Sequence, residues 1–427
     1  MAVASAAALV VVLIATGPAH AGSAGNLDRS FGQGGIAVVQ RIDRPASDAA
    51  VGAHNRIVAL GFGRGPFKIT RTLPDGDVDK GFGHRGVVTV RFGSNVIHPM
   101  SVAIDRKGGV VAAGTVCSNL SHCHIGVVRL QPNGHLDRHF GGDGKVEVHF
   151  PQRYIYPASM ALGAAGRVVV AGAALDSRSS DDLHIDLATL RSDGSLDPRF
   201  GTGGKVVTSF APEGEQCLQD YGQVEAMELD SHDRIVVTGT GCLHGHGISV
   251  ARFKPNGEFD PSFSGDGRVN RNLGDFTVKA LAIDQRDRVD VMGDLRSQVF
   301  AIARLRTDGG LDRSFGKDGR ARGQWGKSKA LGSAGVSSGA VDSHGRIIIA
   351  GTHSRGLAFA RFKPSGHADR RFGHHGKVVV RDPRRDFHLG WLSAVAVDTR
   401  NRIIGAGREK RGGQGSGASH LALVRLK

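Results

Sequence analysis

The sequence predicts an all-β protein, a seven-bladed β-propeller with four antiparallel strands per blade. Three observations predict it: one phrase returns seven times, each return brings two more strand-and-turn phrases, and the first and last strands complete one another. The phrase reads LDRSFGQGGI from Leu27, VDKGFGHRGV from Val78, LDRHFGGDGKV from Leu136 and LDPRFGTGGKV from Leu196. It continues as FDPSFSGDGRV from Phe259, LDRSFGKDGR from Leu311 and ADRRFGHHGKV from Ala368. Its aspartates, Asp28, Asp79, Asp137, Asp197, Asp260, Asp312 and Asp369, recur every 51 to 63 residues, a period that suits a propeller blade.

The first strand of a unit is an apolar stretch ending in a turn. The second is a β-branched run closing on glycine, as in AVDSHGRIIIAG ending at Gly351 or AIDRKGGVVAAG ending at Gly114. The third is an apolar run with an arginine, closing on a DG, NG or SG turn, as in LAFARFKPSG. The fourth follows the recurring phrase. Short Val, Ile, Phe and Ala runs bounded by Asp, Asn, Gly and Pro are strands joined by turns. In the sixth blade the strands fall near Val336–Val341, Arg346–Gly351, Leu357–Phe362 and Gly376–Val380. No window carries a capped 3.6-residue period, so no substantial helix is expected beyond the N-terminal apolar run.

Strand Gly35–Val39 is a lone fourth-type strand and Leu421–Leu426 a third-type strand. Pairing them closes the seventh blade from both termini and removes an exposed edge. The innermost strands end on Val51, Ile104, Leu162, Leu229, Ile283, Val341 and Val397. The residue before each is alanine except Glu228. This predicts large faces packed on small ones, both buried.

Composition fits the reading. Hydrophobics at 40% exclude a disordered chain, and Gly 63 with Pro 14 of 427 residues carry no collagen period. The formal net charge is +15. Such a charge suits a polyanion partner. The arginines repeated in every blade account for part of it, paired with the repeat aspartates. The arginine before the second strand is expected to be a solvated turn residue.

The LDxxFGxxG phrase, the GRIVVAG-like second strand and the ARLxxDG-like third strand together resemble the delta-60 repeat family of bacterial propeller proteins, over residues 27–427. Ser264, Ala368 and Gly109 depart from the repeat pattern. The resemblance implies the fold and little about activity. Lyase-type and NHL-like propellers share the strand rhythm more distantly.

Residues 1–21 have the layout of a secretory signal peptide: an apolar run from Ala2 to Thr16, then the small-x-small site Ala19-His20-Ala21. No lysine or arginine precedes the run. The expected organisation is a signal peptide over 1–21 and a propeller over 22–427. The expected location is outside the cell or in its envelope, with no transmembrane span after signal removal. Four cysteines in an exported chain suggest two disulfides, Cys117–Cys123 and Cys217–Cys242 among three possible pairings. Cys217 precedes the first strand of blade four and Cys242 follows its second, so the antiparallel pair brings them together. His122 and His124 bracket Cys123, but the oxidising compartment argues against a Cys/His zinc site.

Function in a propeller sits in loops at one end of the channel. Those loops carry Tyr156, Tyr221, Trp325, His388 and Trp391, which suit carbohydrate or peptide binding. Three charges break the inner-strand pattern. Glu225 and Lys279 take matching positions in blades four and five, and Glu228 replaces an alanine. The default role of such charges is a salt bridge, the sharper one acid–base chemistry. No nucleophile elbow, P-loop or dinucleotide fingerprint is present. The leading reading is a secreted, non-catalytic, monomeric binding protein without metal or cofactor. Its partner is a polysaccharide, an anionic cell-wall polymer or a protein, and not a nucleic acid. The alternative is an extracellular lyase or glycan hydrolase using Glu225, Lys279 and Glu228 at the channel mouth.

Overall fold

Each repeat folds as one sheet: turns join its first three strands, and the motif phrase links the third to the fourth. In the computed structural model, residues 24–427 are described apart from 62, 64, 94–95, 120–121, 151–153, 176–182, 212–223, 241–246, 296–298, 326–334, 354–355, 382–386 and 412–418. They form seven four-stranded antiparallel sheets. The innermost strands are Ala46–Val51, Val96–Ile104, Tyr154–Leu162, Val224–Leu229, Phe276–Ile283, Gly335–Val341 and Phe387–Val397. Among the described residues one short 3₁₀ turn, Ala164–Gly166, is the whole helical content. No helix there is long and apolar enough to cross a membrane. The expected signal peptide lies outside the described residues.

The seventh blade closes as the terminal strands predict. Strand Ile36–Val39 pairs antiparallel with Ser419–Leu426, in the register Ile36 with Val424 and Val39 with Leu421. The N-terminal segment also completes a ring of backbone hydrogen bonds. The residue after each motif phenylalanine donates its N–H to a carbonyl in the third-strand turn of the following blade. Examples are Gly83 to Asn133 at 2.8 Å, Gly201 to Asn256 at 2.8 Å and Ser264 to Asp308 at 2.8 Å. In blade seven no such turn exists, and Gly373 donates instead to Ala24 at 2.7 Å. The turn glycines sit in the left-handed region. Gly76, at φ 94°, approaches so closely that a Cβ would lie 2.8 Å from the Gly32 nitrogen.

Packing follows the blades. The core is seven apolar clusters, each between two adjacent blades. Second and third strands are sandwiched on both faces, so Ile57–Gly61, Ile248–Phe253 and Gly356–Phe362 are buried throughout. The innermost strands differ from expectation. Their terminal pairs, such as Ala50-Val51 and Glu228-Leu229, are only half-buried, although Ala50, Val51 and Leu229 still pack against the clusters between blades.

The repeat arginines hold the blades together. Third-strand Arg71, Arg252, Arg361 and Arg425 donate to Asp79, Asp260, Asp369 and Asp28 at 2.8–2.9 Å. Each guanidinium also lies over the phenylalanine of its motif, as Arg252 does 4.6 Å from the Phe263 centroid. Its far end reaches the next blade: Arg129 to the Ser192 carbonyl and Arg252 to that of Thr307, both at 2.7 Å. Thr189 holds the arginine slot in blade three, and there Arg167, from before the second strand, reaches the next blade's turn instead, donating to the Pro255 carbonyl at 3.1 Å. The arginines before the second strand are not solvated as expected. Arg234, Arg288, Arg346 and Arg402 are largely covered and pair with Asp230, Asp284, Asp342 and Asp398 at 2.5–2.7 Å. The aspartate that opens each turn accepts them, which four-residue spacing makes possible.

Candidate functional site at the channel mouth

Every innermost strand is bulged at the same place. One extra residue intrudes between two paired ones: Ser47, Met100, Ala158, Glu225, Lys279, Ser337 and Ser393 in blades one to seven. A bulge leaves one residue unpaired and re-aims its side chain. Ser47, Met100, Glu225, Lys279, Ser337 and Ser393 line the central channel, a cavity of about 590 Å³. The residue paired beside each bulge is the glycine that closes the second strand. In blades two, five, six and seven a Cβ there would strike the innermost strand, 2.0 Å from the Thr277 carbonyl oxygen at Gly293 and 1.9 Å from that of Gly335 at Gly351. In those blades the glycine of the recurring IVVAG phrase admits the bulge.

The bulges bring Glu225 and Lys279 together. Their Oε1 and Nζ atoms lie 3.8 Å apart across the blade four–five boundary. Burial raises the Glu225 carboxyl above its usual range, and the Lys279 charge opposes the shift. Glu228 lines the same channel. Burial pushes it up to about 7, against a hydrogen bond from the Ile283 N–H.

Two carboxylates escaped the sequence reading. Asp48 lines the channel, raised to about 6 by burial although it accepts the Val102 N–H and the Ser101 hydroxyl of the next blade at 2.8 and 3.1 Å. Asp294, also raised to about 6 by burial, accepts the Val336 N–H at 3.0 Å and feels Lys279. Asp48 had a signal, an acid where blades two, three and six carry serine. Asp294 had none, since the residue after the second-strand glycine varies freely. The channel thus carries several hydroxyls, carboxyls raised by burial and one ammonium. It can hydrogen-bond a polar ligand, and it can give or take a proton near neutral pH.

The sign of Glu228's contribution follows from its raised pKa. Below pH 4 it is protonated in both the folded and unfolded chain. Between about pH 4 and 7 the unfolded chain ionises first, so this group's stabilisation is lost as pH rises. Glu228→Gln is expected to gain about 1–3 kcal/mol over wild type between pH 4 and pH 8. Urea unfolding at the two pH values checks this; an equal pH slope in both proteins would refute it.

The loop aromatics fare unevenly. Trp391 is 62% exposed at a second bulge within strand Phe387–Val397, between Gly390 and Leu392, with φ 51°. Trp325, expected in the binding set, is instead core: 6% exposed and packed on Phe300 with ring centroids 4.3 Å apart. It takes the place that buried Phe92, Phe150 and Phe210 hold after the fourth strand in other blades, a pattern visible in the sequence. Tyr221, Cys217 and Cys242 lie outside the described residues, as do the side chains of Tyr156 and His388. The Cys117–Cys123 disulfide is formed as expected. It joins directly paired positions of two adjacent strands in blade two.

Comparison with protein-family models and with curated proteins returns no match. Among solved structures the chain is similar to a catalytically inactive virginiamycin B lyase from Staphylococcus aureus with quinupristin. The TM-score is 0.53 at 9% identity, covering 91% of this chain and 98% of that one. It is similar also to the polysaccharide lyase Uly1, with a TM-score of 0.51 at 11% identity, covering 95% and 97%. At such identities the likeness shows the propeller fold.

Proposed function

We propose that this protein is a delta-60-type propeller that acts outside the cytoplasm and binds a small polyhydroxylated ligand, such as the end of a glycan, at its channel mouth. The observation that carries the reading is the convergence of bulged residues from six blades on one channel. They aim Ser47, Glu225, Lys279, Ser337 and Ser393 at a common space. Hydroxyls and carboxyls at that spacing match the alternating donors and acceptors of a sugar. Trp391, exposed at a bulge in its innermost strand, offers an apolar face to a pyranose ring. The signal-peptide layout and the disulfide support export.

A glycan array at low and high salt tests this. Salt-resistant binding to one class of structure is expected, with Trp391→Ala reducing affinity about tenfold or more. Binding that vanishes in high salt would point instead to charge-driven docking on an anionic wall polymer.

One observation favours a second reading. The Glu225–Lys279 pair couples a carboxyl of raised pKa to an ammonium 3.8 Å away. That is an acid–base couple, and a lyase or glycan hydrolase would use it to move a proton at the bound ligand. Turnover of the array hit, lost in Glu225→Gln with binding retained, would establish this reading.

A further inference from the structure

We propose that His124, Glu147 and His149 form a divalent transition-metal site, suited to Zn²⁺, on the outer strands of blade two. Strand His122–Leu130 pairs with Lys145–Val148 in the register Gly126 with Glu147 and Ile125 with Val148. Strand alternation puts Glu147 and His149 on one face. The same register continued sets His124 opposite His149, while Gly126 opposite Glu147 leaves the carboxylate room. The His124 Nε2 lies 2.8 Å from Glu147 Oε2, and the His149 Nε2 lies 3.8 Å from it. All three potential ligand atoms fall within 4.8 Å of one another.

Two features point to a cation rather than to a hydrogen-bonded cluster. The His124 Nε2 is buried and makes no aligned hydrogen bond, despite the nearby carboxylate oxygen. Two imidazoles and one carboxylate are also the ligand set of open zinc sites, which leave a position for water or another donor. His149 is 66% exposed, so that position faces solvent.

The disulfide adds pre-organisation. Cys123 is the neighbour of His124, and its bond to Cys117 fixes the start of the strand. The same bond removes both cysteines as ligands. A second group, Asp230, His232 and Asp287, has similar spacing but a different character. Asp287 is occupied by the Ser231 N–H and hydroxyl at 2.9 and 2.7 Å, and Asp230 by Arg234. Asn55 and Asn401 do the same turn-linking task in other blades, accepting from Thr399 and Ser343. That group is a structural joint.

The test uses the untagged full chain, stripped of metal and titrated with Zn²⁺ against a chromophoric chelator, and with Co²⁺ by absorption spectroscopy. One equivalent is expected. His149→Ala and Glu147→Gln should each weaken Zn²⁺ binding about tenfold or more and abolish the Co²⁺ ligand-field bands. His149 is exposed, so its variant folds and stays informative even where His124→Ala does not. His232→Ala should bind as wild type. Wild-type affinity in both His149→Ala and Glu147→Gln, or no Zn²⁺ taken from the chelator by wild type, would overturn the proposal.

Discussion

Arg304→Met is expected to destabilise the propeller by about 3–5 kcal/mol, because it strands a buried carboxylate. Arg304 and Asp290 are both 0% exposed and joined by two hydrogen bonds of 2.7 and 2.8 Å. Here the third-strand arginine has abandoned its usual motif partner. Asp312 is served instead by Arg288 at 3.3 Å. Arg304 also donates to the Pro364 carbonyl at 2.7 Å and covers the Phe315 ring at 4.2 Å. Methionine restores the packing and none of the charge. Burial already raises the Asp290 carboxyl, so in the variant it would take up a proton. Pairing the change with Asp290→Asn should recover part of the loss. Arg306→Ala removes an exposed pair with Asp308 at 2.9 Å and should cost far less than Arg304→Met. Urea unfolding of the four proteins decides. Equal losses for Arg304→Met and Arg306→Ala would show that the buried pair is not what holds blade five.

Gly293→Ala is the second large effect, and it couples stability to the site. The added Cβ would lie 2.0 Å from the Thr277 carbonyl oxygen, so the bulge that presents Lys279 must open. A loss of about 3 kcal/mol or more is expected, with impaired ligand binding in whatever fraction folds. Gly390→Ala is the control, since nothing lies within 4 Å of the Cβ it would add. It should change stability by less than about 1 kcal/mol. Thermal unfolding of both proteins reads the difference. A Gly293→Ala protein as stable as wild type would mean that the strand-closing glycine has another cause.

Much of the fold was legible because a repeat states its own period. Seven copies of one phrase predict seven blades, and an orphan strand at each end predicts the closure that Ile36–Val39 and Ser419–Leu426 make. The site was legible only where it broke the repeat. Glu225, Lys279 and Glu228 stood out against small or apolar neighbours. The bulges that aim the first two did not, since a bulge changes register without changing composition. Its trace was the invariant second-strand glycine, which reads equally as a strand end. Trp325 was misplaced because an aromatic next to a loop reads as a loop aromatic; alignment on the fourth strand assigns it to the core. The histidine–glutamate group was hidden for a related reason. Its ligands come from two strands, separated by a turn and the motif phrase, and only pairing brings His124 to His149.

The most direct test of the channel-mouth account is calorimetric titration of the strongest array ligand into wild type and into a Glu225→Gln/Lys279→Met variant, at low and high salt. The account predicts tight, salt-resistant binding to wild type and a loss of about a hundredfold in the variant, with the thermal midpoint preserved. Undiminished affinity in the variant would contradict it and place the ligand away from the channel.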